Sequence, residues 1–293
     1  MYSKILIPLD GSRFSESVLP YARELSSVLN LPVDLLYAID SDQTVSCAPF
    51  MASQYLQKTA ECFASSVAVR SLIKAGNAAA TIVELAVAEP ATLIAMATHG
   101  YAAAKLWLLG SVAEKVLRGA ANDVLLVHPC DDAPPGDAKL TTMLVPLDGS
   151  KLAEAVLPTV SELALRMSLQ VVLVRVTRRI YSAPPEGFLP VFGASPPNLK
   201  KLWADASAEA REYLISKADE LCGQGLTHVT PLVLDGGADS AAAAIIELVK
   251  KTPDSFVAMC THGESGIGSW LVGSVTERVV RHGTGPVLVI RPS

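Results

Sequence analysis

Basic residues are in short supply in this sequence, where 24 lysines and arginines face 29 aspartates and glutamates. Proteins that bind nucleic acid usually show a basic surplus or a basic stripe, so the charge balance argues against a nucleic-acid partner. Charged residues make up only 18% of the chain, whereas 50% of its residues are hydrophobic. The 293 residues can therefore form sizeable cores, and their number suggests about two domains, since single cores rarely exceed roughly 200 residues.

The five cysteines are scattered, and none of them forms a C-x-x-C pair or a spacing typical of metal ligands. This distribution favours a reducing intracellular compartment over a secreted protein held by disulfides. The richest apolar run, residues 85–98, is interrupted by Glu89 and Pro90, whereas a membrane helix needs ~20 apolar residues. Residues 1–10 resemble a strand and lack the charged and apolar regions of a signal peptide. We therefore expect a cytoplasmic protein without a membrane partner.

The dominant positive feature is an internal duplication. Residues 5–12, with the sequence Ile-Leu-Ile-Pro-Leu-Asp-Gly-Ser, return as residues 143–150, with the sequence Met-Leu-Val-Pro-Leu-Asp-Gly-Ser. Later landmarks of the two copies are more widely separated, so the second copy contains an insertion. A stretch rich in proline, glycine and aspartate at residues 129–137 is typical of a linker between domains. The sequence therefore predicts two tandem domains, at residues 1–130 and 139–293, the second with an insertion at about residues 178–205.

Strand-like and helix-like patterns alternate along each half. Runs such as residues 93–96 and 124–127 are apolar throughout, as expected for strands buried on both faces of a sheet. This alternation favours right-handed crossovers and a parallel sheet covered by helices on both faces. We expect Ser15 to cap the first helix, and further helices at about residues 52–65 and 204–221. In such a Rossmann-like α/β fold, a ligand binds at the carboxyl ends of the strands, where the strand order reverses.

A glycine-containing loop follows the fourth predicted strand of each half. The first copy has a Thr-His-Gly turn at residues 98–100, a spacer of nine residues, and Gly110-Ser111 at the start of a helix-like segment. The second copy repeats this arrangement at residues 261–263 and at Gly273-Ser274. Unpaired N–H groups and the positive end of the helix dipole attract anions to such a helix start. The loops therefore predict two phosphate-binding sites.

Taken together, residues 5–12, the Met-Ala-Thr-His-Gly turn and residues 110–118 resemble the universal stress protein family, and residues 124–129 resemble its last strand. The similarity covers both halves, so the chain resembles a tandem, two-domain form of the family. The resemblance implies, in each half, a five-stranded parallel sheet of order 3-2-1-4-5 with helices on both faces. This is the Rossmann-like fold that the family shares with adenine nucleotide alpha hydrolases. It also implies that the two halves pack as an internal pseudo-dimer, partly through their final strands.

The ATP-binding branch of this family carries the pattern Gly, two residues, Gly, nine residues, Gly-Ser/Thr. Both halves contain the later part of this pattern, while Ala97 and Cys260 stand at its first glycine. The resemblance implies that ATP is the ligand, with Mg²⁺ as its accompanying ion. It places aspartates near the ribose or adenine, the backbones of Ala38 and Val176 at the adenine edge, and the Gly-Ser pairs at the phosphates. The implied nucleotide-binding residues are Pro8, Leu9, Asp10, Ala38, Met96, Ala97, Gly100, Gly110, Ser111 and Val112 in the first half, and Pro146, Leu147, Asp148, Val176, Met259, Cys260, Gly263, Gly266, Gly273, Ser274 and Val275 in the second.

Local charge favours the first half as the nucleotide site, because Glu264 follows the second Thr-His-Gly turn whereas Lys105 lies in the first spacer. No carboxylate partner is evident for His99 or His262, so we interpret them as shaping the turns rather than as general bases.

Three functions stay open at this point. The first is a stress-response protein that binds an adenine nucleotide and acts as a switch without rapid turnover. The second is a nucleotide-free scaffold for a protein partner, working through the paired domains. The third, a slow ATPase, has the least support because no base and nucleophile pair is apparent, so no catalytic residue and no protein-bound metal is expected. The internal pair alone and a homodimer both remain open as the oligomeric state.

Overall fold

The computed structural model describes residues 1–39, 48–100, 109–129, 138–177, 199–236, 240–261 and 273–292. Strands and helices alternate through both halves, as the sequence predicts. The first half contains β1 (Lys4–Leu9), α1 (Leu19–Leu29), β2 (Val33–Ile39), α2 (Ala48–Ala60), β3 (Val69–Ala75), α3 (Ala78–Val87), β4 (Thr92–Ala97), α4 (Ser111–Gly119) and β5 (Val124–Val127). The second half contains β6 (Thr142–Pro146), α5 (Lys151–Glu154), α6 (Leu157–Met167), β7 (Gln170–Thr177), α7 (Leu199–Gly223), β8 (Val229–Asp235), α8 (Ala241–Lys251), β9 (Ser255–Cys260), α9 (Ser274–His282) and β10 (Val287–Ile290).

The strands form one sheet in the order β3-β2-β1-β4-β5-β10-β9-β6-β7-β8. Each half is parallel within itself and has the order 3-2-1-4-5 in its own numbering. The two five-stranded sheets continue into one another through their final strands, because β5 and β10 pair antiparallel, with Leu125 opposite Leu288. Both strands are short and fully buried. As free edges they would expose apolar side chains and unpaired backbone groups, and their pairing removes both problems.

Helices cover both faces of this sheet. Because successive side chains of a strand point to opposite faces, Ile5 and Ile7 face one core and Leu6 faces the other. The first core also contains buried residues of α1, α2, α6 and α7, and the second contains buried residues of α3, α4, α8 and α9. The carboxyl ends of the strands in each half therefore meet at one edge of the sheet, between two helical layers.

Contacts across the seam between the halves are polar as well as apolar. The Tyr2 hydroxyl donates to Asp123 Oδ2 at 2.8 Å, and the Arg291 backbone N–H donates to Asp123 Oδ1 at 2.7 Å. Burial raises the pKa of Asp123, although these donors and the charge of Arg291 oppose the shift. Arg281 of α9 lies 3.7 Å from Glu114 of α4. The two halves are thus joined by a sheet ladder, a half-buried carboxylate and an ion pair.

Some predicted helix boundaries are wrong. Ser15 does not cap α1: it begins a short 3-10 turn, and α1 starts only at Leu19, with Pro20 in its first turn. The Ser15 hydroxyl instead donates to Ser12 O at 2.9 Å and accepts from Asp10 N at 3.3 Å. The second helix begins at residue 48 and ends at residue 60, and α7 begins at residue 199. Among the helices in the described ranges, none combines the length and the apolar character that crossing a bilayer requires.

Candidate functional site

The predicted site residues of the first half come together where β1 and β4 end. These strands are neighbours in the sheet, and β1 lies between β2 and β4, so the strand order reverses there. The loop of Asp10 follows β1, and the turn at residues 98–100 follows β4. The same relation holds in the second half, where the Asp148 loop follows β6 beside β9. We call these two regions the first cleft and the second cleft.

The Asp10 carboxylate is held by its own loop. Its Oδ1 atom accepts a hydrogen bond from Ser12 N at 3.0 Å and one from Ser12 Oγ at 2.6 Å. Its Oδ2 atom lies so close to Gly100 that a Cβ atom there would clash with it. Gly11 has a φ of +80°, a conformation that glycine adopts without strain. The carboxylate therefore faces the turn after β4, and a side chain at residue 100 would have to displace it.

The start of α4 is anchored to the end of β4. Gly110 N donates to Thr98 O at 2.8 Å, and a Cβ atom at Gly110 would lie 2.9 Å from that same oxygen. Thr98 N in turn donates to Val127 O at 2.8 Å, which extends the ladder of the sheet. Glycine at residue 110 thus lets the helix start approach the backbone of the turn.

The second cleft repeats this anchoring. Gly273 N donates to Thr261 O at 2.6 Å, and Thr261 N donates to Ile290 O at 3.2 Å. Thr276, in the first turn of α9, adds a hydrogen bond to Cys260 O at 2.8 Å. Ser274 is exposed at the start of α9, as Ser111 is at the start of α4. Both Gly-Ser pairs therefore lie at helix starts beside strand ends, as the spacing predicts.

The starts of α4 and α9 differ from those of α3, α5 and α8, whereas α1 and α6 also lack a side-chain cap. The side chains of Asn77, Ser150 and Ser240 accept hydrogen bonds from N–H groups in the first turns of α3, α5 and α8, at 3.2, 3.1 and 3.3 Å. In contrast, Gly110 and Gly273 have no side chain to offer, and no capping hydrogen bond forms at α4 or α9 among the described residues. Their first N–H groups are therefore available to an anion.

The floor of each cleft is apolar. Met96, Ala97, Met259 and Cys260 are all buried, with 5–6% of their surface exposed. The Cys260 side chain belongs to the core that contains α6 and α7. Pro8, Ala38, Val112, Pro146, Val176 and Val275 are half-buried at the strand ends and helix starts, and Leu9 and Leu147 are buried. The predicted residues in the described ranges thus surround the two strand-end regions.

His99 is only 6% exposed, and its Nδ1 atom lies 2.9 Å from Thr98 Oγ1. Its Nε2 atom is buried and makes no hydrogen bond within the part of the chain that the structure describes. Burial lowers the pKa of His99, so the ring is neutral at neutral pH. Its contact with the neighbouring threonine agrees with a role in shaping the turn. His262, Gly263 and Gly266, together with Lys105 and Glu264, lie outside the described residues, so the predictions made for them stay predictions.

Two residues that we did not predict lie beside the aspartate loops. The Tyr37 hydroxyl donates to Asp10 O at 3.4 Å, and the Tyr37 ring lies 6.1 Å from the Tyr55 ring in an edge-on arrangement. Arg175 occupies the corresponding position in the second half, with its guanidinium 4.9 Å from the centre of the Tyr213 ring. The sequence signal that could have revealed these two residues is a polar or aromatic residue near the end of an otherwise apolar strand. In each half this strand pairs with the strand that leads into the aspartate loop.

In the ranges covered by the structure, no group of three or more histidine, cysteine, aspartate or glutamate side chains is arranged to hold a metal ion. The features that do converge on the two clefts are glycines, apolar floor residues and uncapped helix starts. This arrangement suits an anion carried by a partly apolar molecule.

Comparison with known proteins places this chain in a family. The sequence model of the universal stress protein family matches twice, at residues 1–128 and again at residues 139–291. The chain belongs to the universal stress protein family.

Relatives of similar length match this chain from end to end. A universal stress protein of Mycolicibacterium smegmatis is 24% identical, and the similarity covers 98% of this chain and 97% of that protein. A universal stress protein of Mycobacterium tuberculosis is 23% identical over 99% of this chain and 97% of its own length. A solved universal stress protein from Archaeoglobus fulgidus superimposes with a TM-score of 0.68 at 19% identity, covering 100% of this chain and 98% of that one. This structural likeness supports the fold.

Proposed function

We propose that this protein binds ATP or a related adenine nucleotide at the clefts, and that binding rather than turnover is its biochemical activity. The observation that carries the proposal is the pair of uncapped helix starts, beside three helices whose starts are capped by side chains. Phosphates at α4 and α9 would accept hydrogen bonds from the first N–H groups and meet the positive ends of the helix dipoles. The apolar floor around Met96 and Met259 would face the base.

The acidic residues near these helix starts are already neutralised in part. Glu114 lies 3.1 Å from Arg118 and 3.7 Å from Arg281. Glu277 of α9 lies 2.9 Å from the same Arg281. The nearby carboxylates in the described part of each helix therefore belong to a shared ionic network, and their repulsion of a phosphate is reduced.

The location of α4 supports a switching role. Its carboxyl end contacts the other half of the protein, because the Arg291 guanidinium donates a hydrogen bond to Leu117 O. Its middle contacts the other half through Glu114 and Arg281. A phosphate at the start of α4 would thus act on a helix that is part of the seam, and the relative arrangement of the halves is the property that we expect a nucleotide to change.

The test is calorimetric titration of the full-length protein with ATP, using Ser111→Glu and Ser274→Glu. Both serines are exposed at helix starts, where a carboxylate stabilises the helix by roughly 0.3–1 kcal/mol, so these variants should fold. A carboxylate in the place of a phosphate would repel it, and we expect affinity at the altered cleft to fall about tenfold or more. Gly110→Glu and Gly273→Glu should also weaken binding, by filling the space beside the backbone donors.

Gly223→Glu is the matched control, since a Cβ atom there meets nothing within 4 Å. If the first cleft is the tighter site, as the charges of Lys105 and Glu264 suggest, Ser111→Glu will remove the stronger binding event. Loss of the stronger event in Ser274→Glu would reverse that order. Unchanged ATP affinity in the double variant would refute nucleotide binding at these helix starts.

One observation favours the alternative, a nucleotide-free scaffold: Asp10 Oδ2 already lies against Gly100 in the first cleft. A scaffold of this kind would carry no nucleotide when purified and would not respond to ATP. Absorbance and mass spectrometry of the denatured, freshly purified protein would distinguish the two, because the nucleotide-binding function expects a co-purified adenine nucleotide.

A further inference from the structure

The second cleft has an arginine, Arg175, at the position where the first cleft has Tyr37. A Cβ atom at Gly149 would lie 3.2 Å from Arg175 Nη1 and 3.3 Å from Nη2, so the guanidinium lies directly against the Asp148 loop. Its other side faces the Tyr213 ring at 4.9 Å. The guanidinium is therefore held between a glycine backbone and an aromatic ring, an arrangement that keeps its plane fixed.

This arrangement is supported by further contacts. The Tyr213 hydroxyl donates to Glu154 Oε1 at 2.9 Å, and Lys217 Nζ lies 3.2 Å from Glu154 Oε2. Glu154 is thus engaged with a tyrosine and a lysine rather than with Arg175. Within the described ranges, Arg175 makes no ion pair, and it is only half-buried. Its positive charge remains available to an anion.

The first cleft has a neutral group at the same place. Tyr37 lies beside Gly11, where a Cβ atom would be 3.7 Å from Tyr37 Cε2, and its hydroxyl donates to Asp10 O. Tyr55 packs against Tyr37 as Tyr213 packs against Arg175. The supporting parts are thus retained, and the group held between the loop and the ring changes from a phenol to a guanidinium.

The position of Arg175 relative to α9 restricts what it can recognise. Arg175 is on β7, and the strand order β9-β6-β7 puts it two strands from the end of β9, where Gly273 anchors α9. At about 4.8 Å per strand, the strands that carry these two groups lie roughly 10 Å apart, with α7 in one helical layer and α9 in the other. That span is comparable to a nucleoside, so one ligand can place an anion at each end.

We propose that Arg175 makes the second cleft selective for adenine nucleotides that carry an additional phosphate on the 2′ or 3′ oxygen of the ribose. The 5′ phosphate would bind at the start of α9, and the ribose phosphate would accept hydrogen bonds from the guanidinium. An arginine near a ribose-binding aspartate accommodates a ribose phosphate in other Rossmann-like folds, and guanidinium and phosphate groups match in geometry. The inference rests on the proposed nucleotide binding and adds the ligand class of one cleft.

The test uses the full-length Ser111→Glu protein, in which the first cleft is blocked. Calorimetric titrations compare adenosine 5′-monophosphate with adenosine 2′,5′-bisphosphate and adenosine 3′,5′-bisphosphate. We expect at least one bisphosphate to bind about tenfold or more tightly than the monophosphate, as a charge-assisted hydrogen bond allows. The two bisphosphates distinguish a 2′ from a 3′ phosphate.

The decisive variant is Arg175→Tyr, which installs the side chain found in the first cleft and is therefore compatible with packing on the neighbouring tyrosine. It should abolish the preference for the bisphosphate and leave affinity for the monophosphate within about threefold, because the α9 donors are unchanged. Arg175→Lys keeps the positive charge but lacks the planar set of guanidinium N–H donors, so it should retain part of the preference for the bisphosphate. Thermal unfolding of each variant verifies that it is folded.

Equal binding of all three nucleotides, or a preference that survives in Arg175→Tyr, would overturn this inference while leaving nucleotide binding intact. Failure of every nucleotide to bind to the Ser111→Glu protein and to the wild type would refute the proposed function together with the inference. The reciprocal variant Tyr37→Arg, measured in a Ser274→Glu background, should give the first cleft a preference for the bisphosphate.

Discussion

The two clefts share their backbone geometry and differ in the side chains around it. Both have an aspartate loop with a glycine in the left-handed region, Gly11 at φ +80° and Gly149 at φ +91°. Both have a glycine that anchors an uncapped helix to the preceding strand end. Beside these common parts, Tyr37 in one half is replaced by Arg175 in the other. The two halves thus share the backbone groups that would bind a phosphate and differ in the side chain that would face the rest of a ligand.

A second difference lies at the opposite end of the strands. In the first half, Lys4 Nζ lies 2.9 Å from Asp34 Oδ2 and 2.8 Å from Glu89 Oε1, and Arg70 forms two hydrogen bonds with Asp34. The strand registers put Thr142, Val172 and Thr230 at the positions of Lys4, Asp34 and Arg70 in the second half. The first half therefore contains a buried ionic cluster where the second half is apolar or neutral, and the following predictions test how independent the halves are.

The largest effect is expected from Asp34→Val, which gives the first half the residue of the second. Asp34 and Lys4 are 5% and 8% exposed, so the variant leaves a buried ammonium with Glu89 as its remaining described partner. Removing one partner of a buried ion pair costs about 3–5 kcal/mol, and we expect a loss near the lower end of that range because Lys4 keeps Glu89 and Arg70 is exposed. Urea unfolding should show this loss as a lower transition midpoint, and the triple variant Lys4→Thr, Asp34→Val, Arg70→Thr should recover most of it. Failure of the triple variant to recover stability would mean that these side chains also stabilise the residues packed around them.

The same cluster predicts a dependence on pH. Burial acts to raise the pKa of Asp34, but hydrogen bonds from Arg70 and Lys4 lower it below its ordinary value. A carboxylate with a lowered pKa stabilises the folded state above its unfolded pKa of about 4, and this stabilisation is lost as the pH falls through the folded value. The stability difference between the wild type and Asp34→Val should therefore shrink below about pH 4. A stability difference that stays constant from pH 6 to pH 3 would contradict a lowered pKa for Asp34.

A smaller effect is expected from alanine at the two loop glycines. Gly11→Ala and Gly149→Ala each impose a left-handed backbone on a residue with a Cβ atom, which costs about 1–2 kcal/mol. At Gly11 the new atom would lie 3.7 Å from Tyr37, an ordinary contact, whereas at Gly149 it would lie 3.2 Å from Arg175. We expect Gly149→Ala to lower the free energy of unfolding in urea more than Gly11→Ala does. Adding Arg175→Ala to Gly149→Ala should restore only the difference between the two glycine variants. Equal costs at the two glycines, or no relief from Arg175→Ala, would show that the guanidinium moves aside freely.

The sequence predicted the common parts of the two halves better than their differences. The apolar runs at residues 93–96 and 124–127 lie within β4 (Thr92–Ala97) and β5 (Val124–Val127), because uninterrupted apolar runs leave little choice in a sheet buried on both faces. Ser15 was wrongly predicted to cap α1, because its hydroxyl is used within the Asp10 loop and a 3-10 turn intervenes.

What could not be predicted depends on contacts between distant segments. The resemblance implied contact through the final strands, but no local pattern reveals that β5 and β10 pair antiparallel into one continuous sheet. The roles of Tyr37 and Arg175 depend on helices far along the chain, which supply the Tyr55 and Tyr213 rings. The glycine loops were recognisable because their chemistry is in the backbone and therefore in the spacing of a few residues.

The smallest predicted effect addresses the feature on which the proposed function depends. Ser240→Ala removes the side chain that accepts from Ala243 N at 3.3 Å, and loss of such a cap costs about 1 kcal/mol. Ser111→Ala alters an exposed serine that follows the uncapped Gly110, so its effect on the free energy of unfolding should be close to zero. Asn77→Ala, which removes the cap of α3, is the matched control in the same half and should cost about as much as Ser240→Ala. An equal cost at residue 111 would mean that the start of α4 is already satisfied by the protein itself, and its N–H groups would then have nothing to offer a phosphate.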